Sequence, residues 1–280
     1  MRAIYFDQVE ALVAELCTQA NFQLPGDVAS ALRSALDRED HEAARWALEQ
    51  IIRNAEIAAQ ERLPICQDTG IVACFIHLGR ELSIDFDLYE AINAGVARAY
   101  TQLPLRKSMV ADPLRRDTNT GDNTPAVVHV DVVGGDTFEV SVMLKGGGSE
   151  NAGAAWMLEP SEGEDGIVEA VVEHVRALGG KWCPPGIIGI GIGGTLEHAA
   201  LLSKKALLRP VGGAHPDERW AELERRLLEE INSCGPGVMG LGGRTTALAV
   251  HIYAYPCHIA CLPVAVSFLC HAARRAVGKL

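Results

Sequence analysis

Alternating glycine and isoleucine in residues 186–193 constrain the fold more than any other segment. The run Gly-Ile-Ile-Gly-Ile-Gly-Ile-Gly follows two prolines. Isoleucine favours strands, and glycine inside a strand indicates that another part of the chain approaches the backbone closely. The segment therefore predicts a strand with an element packed directly against its glycine face.

The composition limits the partners that this chain can have. Its 36 acidic residues outnumber 25 basic ones, for a formal charge of −11, which argues against a nucleic acid or an anionic membrane as partner. The 8 cysteines are too scattered for a disulfide-rich secreted protein. No signal-peptide pattern or apolar run of ~20 residues, the length of a membrane span, is present. We expect a soluble, cytoplasmic, reduced protein.

Helical and strand patterns alternate along the chain. The predicted elements are three helices within 5–60, a strand at 71–78, a helix at 87–103, a hairpin of strands 127–133 and 138–144, helices at 152–158, 166–178, 196–203 and 220–231, and a strand at 245–253. Residues 105–122 are polar and predict a long functional loop. The order indicates an α+β fold, with an N-terminal helical region packed on mixed or antiparallel sheets and the site loops converging between them. We expect a single domain over 1–280, helical in 1–60 and α+β in 61–280.

Residues 63–70 read Leu-Pro-Ile-Cys-Gln-Asp-Thr-Gly and place four polar side chains on one short loop. Pro64 cannot extend the preceding helix, and Gly70 permits a sharp turn, so the directions of these side chains are constrained. Loops of this kind carry catalytic groups in many enzymes. A capped turn with an incidental cysteine is the alternative interpretation.

A second candidate segment is 145–151, Lys-Gly-Gly-Gly-Ser-Glu-Asn, which directly follows a predicted strand. Its glycines allow a ligand to approach the backbone and can turn N–H groups toward a carboxylate. A simple turn is the alternative, and the spacing matches neither the P-loop nor the dinucleotide fingerprint. The glycine turn at 191–195 also lacks the acidic partner of a dinucleotide site, so we disfavour a nucleotide-binding module.

Three cysteines lie in or beside candidate motifs: Cys66, Cys183 and Cys270. None belongs to a close Cys-x-x-Cys pair, which disfavours a structural zinc site. Three thiolates would fill three corners of a 4Fe-4S cluster and leave one iron open as a Lewis acid. The alternative is that these cysteines are small apolar residues of the core.

Taken together, these motifs resemble the class I, iron–sulfur-dependent fumarate hydratase family, which also contains L-tartrate dehydratase. The resemblance runs in order over nearly the whole chain. It rests on residues 63–70 and 145–151, Cys183-Pro184-Pro185, the Gly-Ile-Gly-Gly-Thr turn, the glycine-rich 240–246, and His258-Ile259-Ala260 followed by Cys270. It corresponds to the α subunit, or to the N-terminal half of the single-chain enzymes.

The resemblance implies a role for each candidate residue. Cys66, Cys183 and Cys270 would bind a 4Fe-4S cluster with one open iron, and the remaining cysteines would be packing residues: Cys17, Cys74, Cys234, Cys257 and Cys261. Asp68 and His258 would be catalytic. The substrate contacts would be Gln67, Arg106, Lys145, Gly146, Gly147 and Gly148.

Two of these residues have a plain structural alternative. Arg106 lies in a polar loop beside other basic residues and can be a solvated surface arginine. His258 lies in an apolar segment and can be a histidine of the core.

The implied reaction is the reversible dehydration of malate to fumarate, with a small dicarboxylate as substrate. L-tartrate dehydratase is the alternative, because its substrate differs by one hydroxyl. The single-chain enzymes carry further substrate-binding residues in a C-terminal domain, so the resemblance implies a separate β subunit, an α2β2 assembly and an α subunit that is inactive alone. A stand-alone iron–sulfur or zinc protein, serving redox sensing or scaffolding, is the alternative from a different class.

Overall fold

The computed structural model describes residues 1–280 and consists of two compact units, each built from separate stretches of sequence. Unit 1 contains Met1–Pro25, Ala55–Gly147 and Arg274–Leu280, and unit 2 contains Gly26–Asn54 and Gly148–Ala273. The single-domain assignment over 1–280 stays a prediction. None of the helices combines the length and the apolar composition needed to cross a membrane.

Helices and strands are mixed along the chain, as the sequence predicts for an α+β fold. The helices are α1 Phe6–Phe22, α2 Gly26–Arg38, α3 Glu42–Glu61, α4 Leu88–Gln102, α5 Gly147–Asn151, α6 Gly163–Leu178, α7 Leu196–Ala206 and α8 Glu218–Cys234. The strands are β1 Arg2–Ala3, β2 Ile71–Gly79, β3 Leu82–Ser83, β4 Val110–Asp112, β5 Arg115–Asn119, β6 Val127–Val133, β7 Phe138–Lys145, β8 Ala154–Leu158, β9 Gly186–Gly193, β10 Ala247–Tyr255, β11 Leu262–Leu269 and β12 Arg275–Lys279.

Unit 1 is organised around a four-stranded mixed sheet of order β12-β7-β2-β6. Strand β2 is parallel to β6 and antiparallel to β7, and β12 is antiparallel to β7. Helices α1 and α4 pack against each other, and α1 packs on β7 and β12. Val72, Cys74 and Ile76 of β2 alternate toward this core with the two-residue period of a strand, and Ala73 and Phe75 on the opposite face are buried as well.

The predicted hairpin of strands 127–133 and 138–144 is wrong, because β2 lies between β6 and β7. The connection between the two strands instead crosses the end of β2, where Gly79 N donates to Thr137 O at 2.7 Å. A Cβ on Gly79 would lie 2.5 Å from Gly135 O, so this crossing requires a glycine. Turn residues mark where a strand ends but do not reveal which strand pairs with it.

Unit 2 contains a second mixed sheet, of order β10-β9-β11-β8. Its central strand β9 confirms the strand that the glycine–isoleucine alternation predicts, and it is buried at every position. Ile188, Ile190 and Ile192 share a hydrophobic core with residues of α6 and α8. The glycine face contacts α7: a Cβ on Gly189 would lie 2.2 Å from Ser203 O, and one on Gly191 would lie 1.9 Å from Ala199 O. Glycine is required here because the helix lies directly on the strand backbone.

The helix predicted at 152–158 is wrong, and the segment forms strand β8 instead. It pairs antiparallel with β11 at the edge of the sheet. Trp156 and Leu158 pack against the unit 2 core, whereas Met157 between them is exposed. This two-residue alternation decides the conformation over the helix propensity of alanine, leucine and methionine.

Residues 105–122, predicted as a loop, contain the short antiparallel pair β4 and β5. Strand β5 has no apolar residue, and most of it is exposed. A local hydrogen bond from Asp112 N to Thr118 Oγ1, 3.0 Å long, supports the pair. Backbone pairing can thus order a polar segment that offers no side chains to a core.

Candidate active site

Asp68 is a predicted site residue whose side chain is fixed by hydrogen bonds. Both oxygens of its carboxylate accept main-chain hydrogen bonds: Oδ1 from Gly70 N at 3.1 Å and Oδ2 from Gly147 N at 2.6 Å. All three residues belong to unit 1. Two fixed donors hold the carboxylate in one orientation, and hydrogen bonds from N–H groups to a carboxylate are among the stronger ones in proteins. The structure therefore joins the 63–70 loop to the glycine run.

Buried side chains hold the main chain of this loop at successive carbonyls. Arg274 Nη1 donates to Asp68 O at 2.5 Å, the Tyr100 hydroxyl donates to Thr69 O at 2.7 Å, and Asn123 Nδ2 donates to Gly70 O at 3.0 Å. Burial raises the pKa of Tyr100, so its hydroxyl stays a donor. A loop with three consecutive carbonyls bound in this way has little freedom to move.

Arg106 is connected to the same loop through its main chain. Thr69 Oγ1 donates to Arg106 O at 2.5 Å, and Ser108 N donates to Asn123 Oδ1 at 2.7 Å. The Arg106 side chain is exposed. The structure thus connects the backbone of Arg106 to Thr69, the residue after Asp68, and leaves Arg106 accessible to an anion.

The residues of the glycine run, 145–148, differ in burial and in their distance from the Asp68 carboxylate. Lys145 ends β7 and is only 2% exposed. A Cβ on Gly146 would lie 3.2 Å from Asp68 Oδ2, whereas one on Gly147 would lie 3.6 Å from it. Gly147 N carries the hydrogen bond to Asp68, and Gly148 begins the next stretch of unit 2. Gly146 is therefore the position of the run where a side chain would disturb Asp68 most.

Cys183 and Cys270 lie on neighbouring loops of unit 2. His271, which follows Cys270, donates to Cys183 O from its main-chain N at 3.2 Å and from Nδ1 at 3.1 Å. Cys183 has a φ of 59°, a left-handed conformation that is uncommon outside glycine and often found at functional sites. Both cysteines are partly exposed and neither forms a disulfide. Two of the three predicted cluster ligands therefore lie on loops that are joined by hydrogen bonds.

The five cysteines outside the predicted ligand set differ in burial: two are buried, Cys234 and Cys261 are partly exposed, and Cys257 is exposed. Cys17 and Cys74 are buried in the core of unit 1, where burial raises the pKa of Cys17 well above its usual value and that of Cys74 to about 12. A thiol that stays protonated is a poor metal ligand, which fits the predicted packing role. Cys257 is exposed, so the packing role predicted for it is wrong.

Cys66 and Gln67 precede Asp68 on the unit 1 loop, Cys66 partly exposed and Gln67 exposed. Neither unit contains by itself a group of three His, Cys, Asp or Glu side chains arranged to hold a metal ion. The three-cysteine ligand set therefore stays a prediction.

His258 lies in the connection between β10 and β11 and is exposed, so the alternative of a core histidine is wrong. Its Nδ1 accepts a hydrogen bond from Ala260 N at 3.2 Å. The pairing of the strands places this connection at the Gly193 end of β9, whereas Cys183 and Cys270 lie at the Gly186 end. A strand of 8 residues spans roughly 25 Å. Within unit 2 the structure separates His258 from the two cysteines, and its catalytic role stays a prediction.

Sequence reasoning missed Tyr100, Asn123 and Arg274. Tyr100 lies on the core face of α4, where its hydroxyl gives no periodic signal, and Arg274 is 206 positions from its partner Asp68. Asn123 gave a weak signal as an asparagine in a turn segment, and its φ is 67°. These side chains act through contacts that are distant in sequence.

A carboxylate held by main-chain N–H groups, beside a glycine turn and on a loop that is hydrogen-bonded to an exposed arginine, suits an enzyme that adds protons to, or removes them from, a small anionic substrate. The family model described as fumarate hydratase (Fumerase) matches residues 10–279. The chain therefore belongs to the fumarate hydratase (Fumerase) family, whose enzymes are hydro-lyases.

Similar proteins include α subunits from several organisms. A Methanocaldococcus jannaschii protein named "Putative L(+)-tartrate dehydratase subunit alpha" is 42% identical over 279 residues, which cover 98% of each chain. The "L(+)-tartrate dehydratase subunit alpha" of Escherichia coli UTI89 is 35% identical over 271 residues, 96% of this chain and 89% of that protein. The protein of the same name from Shigella boydii is 34% identical over the same shares.

Proposed function

We propose that this chain is the α subunit of an L-tartrate dehydratase. The observation that supports this substrate is the similarity, over 98% of both chains, to a protein named as that subunit. The reaction removes a hydroxyl from one carbon of L-tartrate and a proton from the next, giving water and the enol of oxaloacetate. Malate and fumarate are the second candidate, favoured by the description of the family model.

Arg106 is the proposed carboxylate-binding residue of unit 1. Its exposed guanidinium can pair with a substrate carboxylate through two parallel N–H···O bonds. The Gly146–Gly147 turn carries no side chains that would keep a small diacid from the backbone. Gln67, exposed on the same loop as Asp68, would donate or accept a hydrogen bond with a substrate oxygen.

Asp68 is the proposed acid–base residue. Its two main-chain hydrogen bonds hold the carboxylate in place, so a proton can be exchanged at a defined oxygen. A positioned acid or base contributes roughly 10²–10⁴-fold to a rate. His258 is a second candidate that the resemblance supplies.

Cys66, Cys183 and Cys270 are the proposed ligands of a 4Fe-4S cluster. The donor set fits such a cluster, because Cys183 and Cys270 are partly exposed thiols on hydrogen-bonded loops of unit 2. When bound, the cluster would supply an open iron that acts as a Lewis acid toward the substrate hydroxyl.

Replacing either Cys183 or Cys270 by serine is expected to abolish iron loading, since each loss removes one of three protein ligands. Iron content and visible absorbance after anaerobic reconstitution measure this without any assay of activity. Cys257→Ser is the matched control, because Cys257 is exposed between β10 and β11 and is not a proposed ligand. Full iron loading in Cys183→Ser and Cys270→Ser would contradict the ligand assignment.

The proposal also includes a β subunit, which the relatives named as α subunits support, and an α2β2 assembly of the two. The substrate test uses the chain co-purified with the β subunit encoded with it, after anaerobic loading with iron and sulfide. We expect the highest kcat/KM with L-tartrate, lower values with D-tartrate, malate and fumarate, and no turnover by the α subunit alone. A higher kcat/KM with malate or fumarate would favour the second candidate, and activity of the isolated chain would refute the two-subunit proposal.

A further inference from the structure

Arg274 is a buried arginine to which the proposed function gives no role. It is 2% exposed, and its Nη1 donates to the carbonyl oxygen of Asp68 at 2.5 Å. This acceptor is neutral, whereas a buried cation is costly to desolvate and is normally repaid by a negative partner. A neutral donor suffices for the next carbonyl, where the Tyr100 hydroxyl holds Thr69 O. A guanidinium at the Asp68 carbonyl therefore calls for an explanation beyond satisfying this one acceptor.

The backbone of Arg274 is anchored to the strand that delivers the glycine run. Its carbonyl oxygen accepts a hydrogen bond from Leu144 N at 3.0 Å, and β12, which begins at the next residue, pairs with β7. Strand β7 ends at Lys145, immediately before Gly146 and Gly147. The position of the guanidinium is thus fixed relative to the turn that donates to the Asp68 carboxylate.

The second terminal nitrogen of Arg274 faces this turn. A Cβ on Gly146 would lie 3.3 Å from Arg274 Nη2 and 3.2 Å from Asp68 Oδ2. One planar group therefore lies against both segments that hold the carboxylate: the Asp68 peptide through Nη1 and the Gly146 backbone beside Nη2. A planar guanidinium, whose nitrogens are fixed relative to one another, keeps this arrangement better than a single flexible ammonium group would.

We propose that Arg274 is a positioning residue, which fixes the Asp68 peptide against the Gly146–Gly147 turn and keeps the carboxylate in its reactive orientation. This inference rests on the proposed acid–base role of Asp68. Loss of Arg274 leaves the proposed substrate-binding arginine, Arg106, in place, so it affects the chemical step more than binding. A misplacement of about 1 Å at a catalytic group costs about 10²-fold in rate.

The test compares Arg274→Gln and Arg274→Lys with the wild type in the two-subunit, iron-loaded enzyme, with L-tartrate as substrate and kcat expressed per cluster. We expect Arg274→Gln to lower kcat about 10²-fold with little change in KM. Arg274→Lys should recover part of the loss, because lysine can still donate to the Asp68 carbonyl. Arg98→Gln is the control, since Arg98 is a half-exposed arginine of unit 1 that pairs with Glu10 at 3.5 Å. A wild-type kcat per cluster in Arg274→Gln would overturn the proposal.

Amide hydrogen exchange gives a readout that does not depend on activity. The Gly70 and Gly147 amides donate to the Asp68 carboxylate, so Arg274→Gln should speed their exchange about tenfold or more and leave the β2 amides unchanged. Unchanged exchange at both glycines, or faster exchange throughout unit 1, would overturn the positioning role. If the wild type converts none of the diacids, the proposed function fails, and the exchange result alone decides whether Arg274 positions Asp68.

Discussion

Asp68→Asn is expected to lower kcat of the assembled enzyme by about 10²–10⁴-fold, the contribution of a positioned acid or base. Asparagine cannot exchange the proton, and because Gly70 N and Gly147 N donate to different oxygens of the carboxylate, the single carbonyl oxygen of asparagine can replace only one of these two acceptors. The other N–H would face an NH2 group, which also turns the side chain. Steady-state kinetics with L-tartrate, normalised to cluster content, measure the effect.

Asp87→Asn is the matched control for this variant. Asp87 also belongs to unit 1 and accepts two main-chain hydrogen bonds, from Tyr89 N at 2.8 Å and Glu90 N at 3.2 Å, as the N-cap of α4. Asparagine caps helices as well as aspartate does, so this change should leave kcat and stability unchanged. If Asp68→Asn turned over substrate at the rate of the control, Asp68 would not be the acid–base residue.

Gly191→Ala is expected to have the largest effect on stability. The added Cβ would lie 1.9 Å from Ala199 O and 2.8 Å from Leu202 Cβ, so α7 must move away from β9. Overpacking of this kind costs about 3 kcal/mol, which lowers Tm by roughly 6–12 °C in a protein of this size. Thermal unfolding followed by circular dichroism measures the shift.

Gly26→Ala provides the comparison, because no atom lies within 4 Å of a Cβ added at this first residue of α2 in unit 2. Its Tm should stay close to that of the wild type. A Tm for Gly191→Ala equal to that of Gly26→Ala would show that α7 does not rest on the strand backbone.

Local patterns predicted the parts of the fold that depend on neighbouring residues. Periodicity located helices α4, α6 and α8, and the glycine–isoleucine alternation predicted both the strand β9 and the close approach of another element. These signals work because burial repeats along a helix or strand with a fixed period. The family resemblance, confirmed by the matching family model, added the candidate residues.

Strand pairing could not be read from such patterns. The turn residues Gly134, Gly135 and Asp136 indicate a reversal equally well whether the flanking strands pair directly or enclose a third strand, and here they enclose β2. The support of Asp68 was hidden for the same reason, since Arg274 is 206 positions away in sequence. Polar contacts of this range depend on the completed fold.

The division of unit 1 into separate stretches affects the order in which the protein can be completed during synthesis. Strand β12 and Arg274 belong to unit 1 but emerge from the ribosome after every residue of unit 2. The nascent chain therefore carries the Asp68 loop through the synthesis of all of unit 2 without the arginine that donates to it. Since domains fold as the chain emerges, unit 2 can reach its native state first, and the Asp68 loop gains the hydrogen bond from Arg274 only after the stretch Arg274–Leu280 has emerged.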